Sequence, residues 1–81
     1  MIQEYEDELI GTAADRARIA ALPVWSFPVD VAVVTNVPAS TLEKLHSQGR
    51  GPKTFKIGRR RCTTPRLTTE WLNELADAEQ A

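Results

Sequence analysis

The spacing of apolar residues changes several times along this chain, and each change marks an element. Ile2, Tyr5, Leu9, Ala13, Ala17 and Ala20 recur close to every 3.6 residues, which predicts one amphipathic helix over residues 3–22. Gly11 falls on its opposite face, at a cost of about 1 kcal/mol relative to Ala. A second start lies inside the same stretch. Thr12, followed three residues later by Asp15, is arranged like a capping box and would open a shorter helix there. Leu22-Pro23-Val24-Trp25-Ser26-Phe27-Pro28 then breaks the period. Two prolines prevent a helix from running through it. It reads as a connector whose Trp25 and Phe27 are buried and clamp the N-terminal segment to the core of the domain.

The next stretch is the most legible. A short helix is expected over Val29 to Thr35, giving Val31, Val34 and Val33 to the core. On composition alone its valines would also suit a strand; the residues after it decide for helix. Asn36 tolerates a left-handed backbone, and Val37 can plug the angle between two helices. Pro38 cannot continue the first helix but suits the first turn of a second. Leu42 and Leu45 share that helix's inner face, and Gly49 stops it. Helix, tight turn and helix within about twenty residues is the outline of a helix-turn-helix. Thr54-Phe55-Lys56-Ile57 then alternates, with Phe55 and Ile57 on one face. Gly58-Arg59 suits a two-residue type II′ turn, and Arg60, Arg61, Cys62 and Thr63 form the return strand. A last helix starts between Thr64 and Thr68: Thr64-Pro65 offers a cap and a first-turn proline, and Thr68-Thr69-Glu70 a later start. Trp71, Leu72 and Leu75 are its apolar face, Glu70, Glu74, Asp77 and Glu79 its solvent side, and Ala78 to Ala81 a frayed end.

Length confines these elements to one small domain: 81 residues support only a modest core. No apolar run approaches the roughly 18–20 residues of a membrane span. The acidic Met1-Ile2-Gln3-Glu4 is unlike a signal peptide. A single cysteine makes no internal disulfide, so a reduced, cytoplasmic setting is expected. Net charge is −1, but it is unevenly distributed. Residues 1–22 hold five acids and two bases, residues 67–81 four acids and no base. Residues 23–66 hold eight bases and two acids. The excess positive charge therefore sits on the helix-turn-helix and the hairpin, where clustering matters more for nucleic acid than the total does.

Three motifs carry a resemblance. Val31 to Leu42 reads VAxxTxVPxSTL, Gly49 to Arg60 reads GxGPKTFKIGRR, and Trp71-Leu72 lies downstream. The segment from Pro28 to Leu75 resembles the winged-helix domain of AlpA-type regulators and phage excisionases, within the MerR-like group. That family often has Arg and an aromatic after the STL, where this chain has Glu43 and Lys44, and this bears on how the groove would be contacted. It usually has an Asp just before the last helix, near Leu67 here. The resemblance implies a winged helix-turn-helix: mainly α with a small β-hairpin, here with an additional N-terminal helix. Residues 1–27 would be that helix and its Pro-containing connector, and residues 28–81 the DNA-binding domain. The N-terminal helix is expected to pack on that domain, in preference to serving as a dimerisation or partner-binding element. Its acids Glu4, Glu6, Asp7 and Glu8 would form a solvated face that also disfavours stray contact with DNA.

The candidate contacts to double-stranded DNA are Ala39, Ser40, Thr41, Glu43, Lys44, Arg50, Lys53, Lys56, Arg59, Arg60 and Arg61. Ser40 and Thr41 sit at a helix N-terminus, where hydroxyls and backbone N–H groups can meet phosphate or simply cap the helix. Glu43 can accept from a cytosine amine or pair with a nearby cation. Residues alternate along a hairpin, so the three arginines cannot all face one way. Arg59, at the tip, suits a narrow minor groove. His46 is the only histidine and reads as a partly exposed helix residue; with one Cys, no zinc site assembles by spacing. The Arg50-Gly51-Pro52-Lys53 loop lacks the Gly-Lys-Ser/Thr ending of a nucleotide-binding loop. Cys62 reads as a small half-buried strand residue, not a nucleophile. No catalytic activity, metal or cofactor is expected. The expectation is a sequence-specific DNA binder, either a transcriptional regulator or an excisionase that directs recombination. Its partners would be DNA, further copies of itself and an integrase. The alternatives are a recognition module like that of a terminase small subunit, or a protein-binding adaptor using the N-terminal helix.

Overall fold

Asn36, Pro38, Gly49 and Gly58 punctuate the middle of the chain, and the backbone turns at each. The computed structural model describes residues 10–80. Helix α1 spans Ala13–Ala20 and strand β1 Trp25–Ser26; α2 spans Val29–Thr35 and α3 Ala39–Ser47. Strands β2 (Phe55–Ile57) and β3 (Arg60–Thr63) come next, and α4 (Pro65–Gln80) closes the described chain. The strands form one antiparallel sheet in the order β1-β3-β2. The described residues therefore make a small α-rich domain with four helices and a three-stranded sheet, compatible with the helices and hairpin read from the sequence. None of the described helices is long and apolar enough to cross a membrane.

The N-terminal helix takes the shorter of its two expected forms. Thr12 Oγ1 accepts from the Asp15 N–H at 3.0 Å, and the Asp15 carboxylate accepts from the Thr12 N–H at 3.1 Å, so the capping box is complete. Gly11, just before it, has φ +84°, which interrupts any helix running continuously over residues 3–22. Residues 1–9, with Ile2, Tyr5 and Leu9 of the expected apolar face and the acids Glu4, Glu6, Asp7 and Glu8, lie outside the described residues. The expected inner face is also corrected. Ala13, Ala17 and Ala20 are exposed, and Ile19 is the buried residue of α1. A helix of eight residues docks through its one large apolar side chain, because alanines offer little area to bury.

β1 was not expected. Trp25 and Ser26 pair with Thr63 and Cys62, and the Phe27 N–H continues the ladder to the Arg61 carbonyl at 2.9 Å. The Asp30 carboxylate accepts from the Ser26 N–H at 2.8 Å and ties the strand to the first turn of α2. The Trp25 indole N–H donates to the Ile19 carbonyl at 2.7 Å. Trp25 and Phe27 are buried, as expected, in a core with Ile19, Val31, Ala32, Leu42 and Trp71. One core therefore draws on residues to both sides of position 27.

α2 has its expected bounds and ends at Asn36, whose φ is 59°. Val37 packs half-buried against the core. Pro38 stands immediately before α3 at φ −57°, ψ 142°, and Gly49 turns the chain away at φ +73°. In the hairpin Ile57 faces Arg60 across the two-residue turn. Gly58 has φ +63° while Arg59 is not in the positive-φ region, the pattern of a type II′ turn.

Several expected core positions are corrected. Phe55 and Ile57 do share a face, but they are 38% and 55% exposed. They lie on the edge strand, and period two says only that they point together, not that their side is covered. Cys62, opposite Phe55 on the central strand, is fully buried rather than half-buried. Thr64 Oγ1 accepts from the Leu67 N–H at 3.1 Å and Pro65 opens α4, so the earlier of the two starts is used. Thr68 and Trp71 take the inner face. Leu72 and Leu75 are left about two-fifths exposed. The helix runs on to Gln80 instead of fraying at Ala78; Ala81 lies outside the described residues.

Candidate nucleic-acid interface

α3 sorts its residues by burial. Leu42 is fully buried and Leu45 half-buried, while Ser40, Thr41, Glu43 and Lys44 are exposed. Ala39 differs from the other candidates on this helix: it is half-buried and packs against the core. Neither Ser40 nor Thr41 caps the helix, since Pro38 holds the cap position and no side chain bonds there. The reading of their hydroxyls as local caps is therefore corrected.

The loop after α3 is fastened on both sides. The Arg50 N–H donates to the Leu45 carbonyl at 2.8 Å, and the Arg50 carbonyl accepts from the Trp71 indole at 2.8 Å. The Lys53 carbonyl accepts from the buried Thr63 hydroxyl at 2.8 Å. A Cβ at Gly51 would come within 3.3 Å of the His46 backbone, so this loop lies close against α3. The side chains of Arg50 and Lys53 remain exposed.

The hairpin divides its cations between two faces, as alternation requires. Lys56 is opposite Arg61, and Ile57 opposite Arg60, so Lys56 and Arg61 share one face while Arg60 takes the other. Arg60 donates from Nε at 2.7 Å, and from Nη2, to the Ser26 hydroxyl. Arg61 is half-buried and donates from Nη1 to the Thr54 hydroxyl at 2.7 Å. Lys56 and Arg59 are exposed. Among the described residues the ion pairs are Arg18 with Asp15 and Arg66 with Glu70, and none of the candidate cations is in one.

Arg61 faces the sheet side of α3. It lines a cavity of about 500 Å³ with His46, Gly51, Lys53 and Thr54. It also lines a second of about 330 Å³ with Phe27, Pro28, Glu43 and His46. The His46 ring lies 5.3 Å from that of Phe27, tilted by 55°. Thr54 and Ser26, which hold the two arginines, were not singled out from sequence. Thr54 was legible, because alternation puts it on the face of Lys56. Ser26 was not, because its position depends on a strand that local patterning did not reveal. Among the described residues no group of three His, Cys, Asp or Glu is placed to hold a metal ion. No family model matches the chain, and no curated protein and no solved structure matches it.

Proposed function

We propose that this chain binds double-stranded DNA as a winged helix-turn-helix, with α3 entering the major groove and the β2–β3 hairpin acting as the wing. Its use would be that of a small phage or bacterial regulator, controlling transcription or directing recombination. The observation that carries this reading is the sorting of α3 and the hairpin. Ser40, Thr41, Glu43 and Lys44 are exposed opposite a buried Leu42, beside a hairpin bearing Lys56, Arg59, Arg60 and Arg61. Such a surface offers polar side chains for base edges and cations for phosphates.

Binding of a labelled duplex library at two salt concentrations tests it. Four to six phosphate contacts correspond to a slope of about −4 to −5 in log affinity against log salt. Binding that survives unchanged at high salt would remove the basic hairpin from the mechanism. Site selection with single variants then assigns roles. Arg59→Ala should weaken most duplexes, with a further loss on A·T-rich flanks if the tip enters a narrow minor groove. Changes at Glu43 or Lys44 should relax preference at one or two base pairs, by about 1–3 kcal/mol for each lost base contact. If those variants select the parent's site and only Arg59→Ala alters it, the wing is the reader and α3 is not. Transcription and excision assays separate the two uses.

A further inference from the structure

We infer that the cavity between the C-terminal end of α3 and the hairpin is a phosphate site, with Arg61 as its fixed prong and Thr54 as a positioning residue. This deepens the DNA-binding reading and rests on it for the natural occupant, a backbone phosphodiester. The chemistry itself is that of any phosphate.

Charge selects this cavity from its neighbours. Its lining includes Lys53, Arg61, the Thr54 hydroxyl and His46, and no carboxylate. The second cavity sets Glu43 against Arg61. A third, of about 200 Å³, sets Glu70 and Glu74 against Lys53. Only the first of the three has cations without an acid in its wall. Its walls are also held in place. The Arg50 carbonyl is fastened by Trp71 and the Lys53 carbonyl by Thr63. Arg61 commits Nη1 to Thr54. A guanidinium has five donor hydrogens in a planar fork, so this bond orients the group and leaves donors over for a phosphate oxygen pair. An exposed lysine has to be ordered as it binds, whereas this arginine is ordered already.

The test has two arms, both on the full chain. In the first, inorganic phosphate is titrated into the ¹⁵N-labelled protein at constant ionic strength. Shifts should concentrate at Gly51, Lys53, Thr54 and the Arg61 side chain, and disappear in Arg61→Ala. They should persist in Arg60→Ala, whose guanidinium lies on the other face of the sheet. Shifts spread evenly over the exposed cations, with none at the cavity, would overturn the site. In the second arm, duplex binding is measured against salt. Arg61→Ala should make the slope shallower by about 0.9, the share of one phosphate. Arg61→Lys should restore the slope at lower affinity. Thr54→Val should weaken binding several-fold with the slope intact, because it frees the guanidinium without removing charge. A duplex that binds Arg61→Ala with the parent's slope would show that no DNA phosphate sits there. If no duplex binds the parent protein, the DNA reading fails, and the first arm still decides whether the cavity takes phosphate.

Discussion

The Thr68 hydroxyl is buried and, among the described residues, has no hydrogen-bond partner. The residue is 2% exposed and faces inward from α4 beside Trp71. An unpaired buried hydroxyl costs roughly 1–3 kcal/mol, and valine has nearly the same shape without it. Thr68→Val is therefore expected to stabilise the domain by about 1 kcal/mol. For a chain of this size that raises the thermal midpoint by about 4–8 °C. A lower midpoint in calorimetry would mean that the hydroxyl is bonded after all. The Trp25 indole shows the opposite arrangement. It is buried and its N–H is satisfied by the Ile19 carbonyl at 2.7 Å, so its full apolar area goes into the core without an orphaned donor.

At the scale of elements, α1 depends on its cap. The Thr12 backbone N–H, with the Thr12 hydroxyl and Arg18 adding, holds the Asp15 carboxyl below its ordinary value. A lowered carboxyl contributes stability that is present above its unfolded-state value and lost as the pH falls through its folded one. The cap should thus be intact at neutral pH and weaken only below about pH 4. Backbone amide shifts of α1, followed through an acid titration, should move there and follow Asp15. Movement centred near neutrality would rule the cap out as the cause. The same element shows where sequence reading stops. Both lengths of α1 were written in the pattern, and the backbone at Gly11 decided between them. α2, α3 and the hairpin were legible because Pro38 restricts the backbone, while Asn36, Gly49 and Gly58 tolerate the left-handed conformation that each turn uses. β1 was not, because a two-residue strand is made by its distant partner β3. Nor could alternation say whether the Phe55–Ile57 face would be covered. For the candidate site, the splitting of Arg60 from Arg61 was legible, and the residues that hold them only in part. Asn36 carries a further duty invisible in the pattern: its side-chain oxygen accepts from the Ile10 N–H at 2.6 Å.

At the scale of the whole molecule, one side chain reports on all the rest. Cys62 is the only cysteine, it is a free thiol, it is fully buried, and it sits on the strand between the other two. A thiol reagent can reach it only when that strand opens, so the labelling rate follows the population of open molecules. A domain stable by about 5 kcal/mol is open roughly once in several thousand visits, and each further 1.4 kcal/mol slows labelling about tenfold. Leu42→Ala, which removes a fully buried side chain, is expected to cost about 2–5 kcal/mol and to accelerate labelling at least tenfold. Labelling of the parent as fast as that of a denatured control would mean that the central strand opens on its own. A ligand that binds only the closed form slows the same reaction, and the slowing grows with ligand concentration relative to its Kd. The buried thiol therefore gives a chemical clock that can measure affinity for a duplex without a label on either partner.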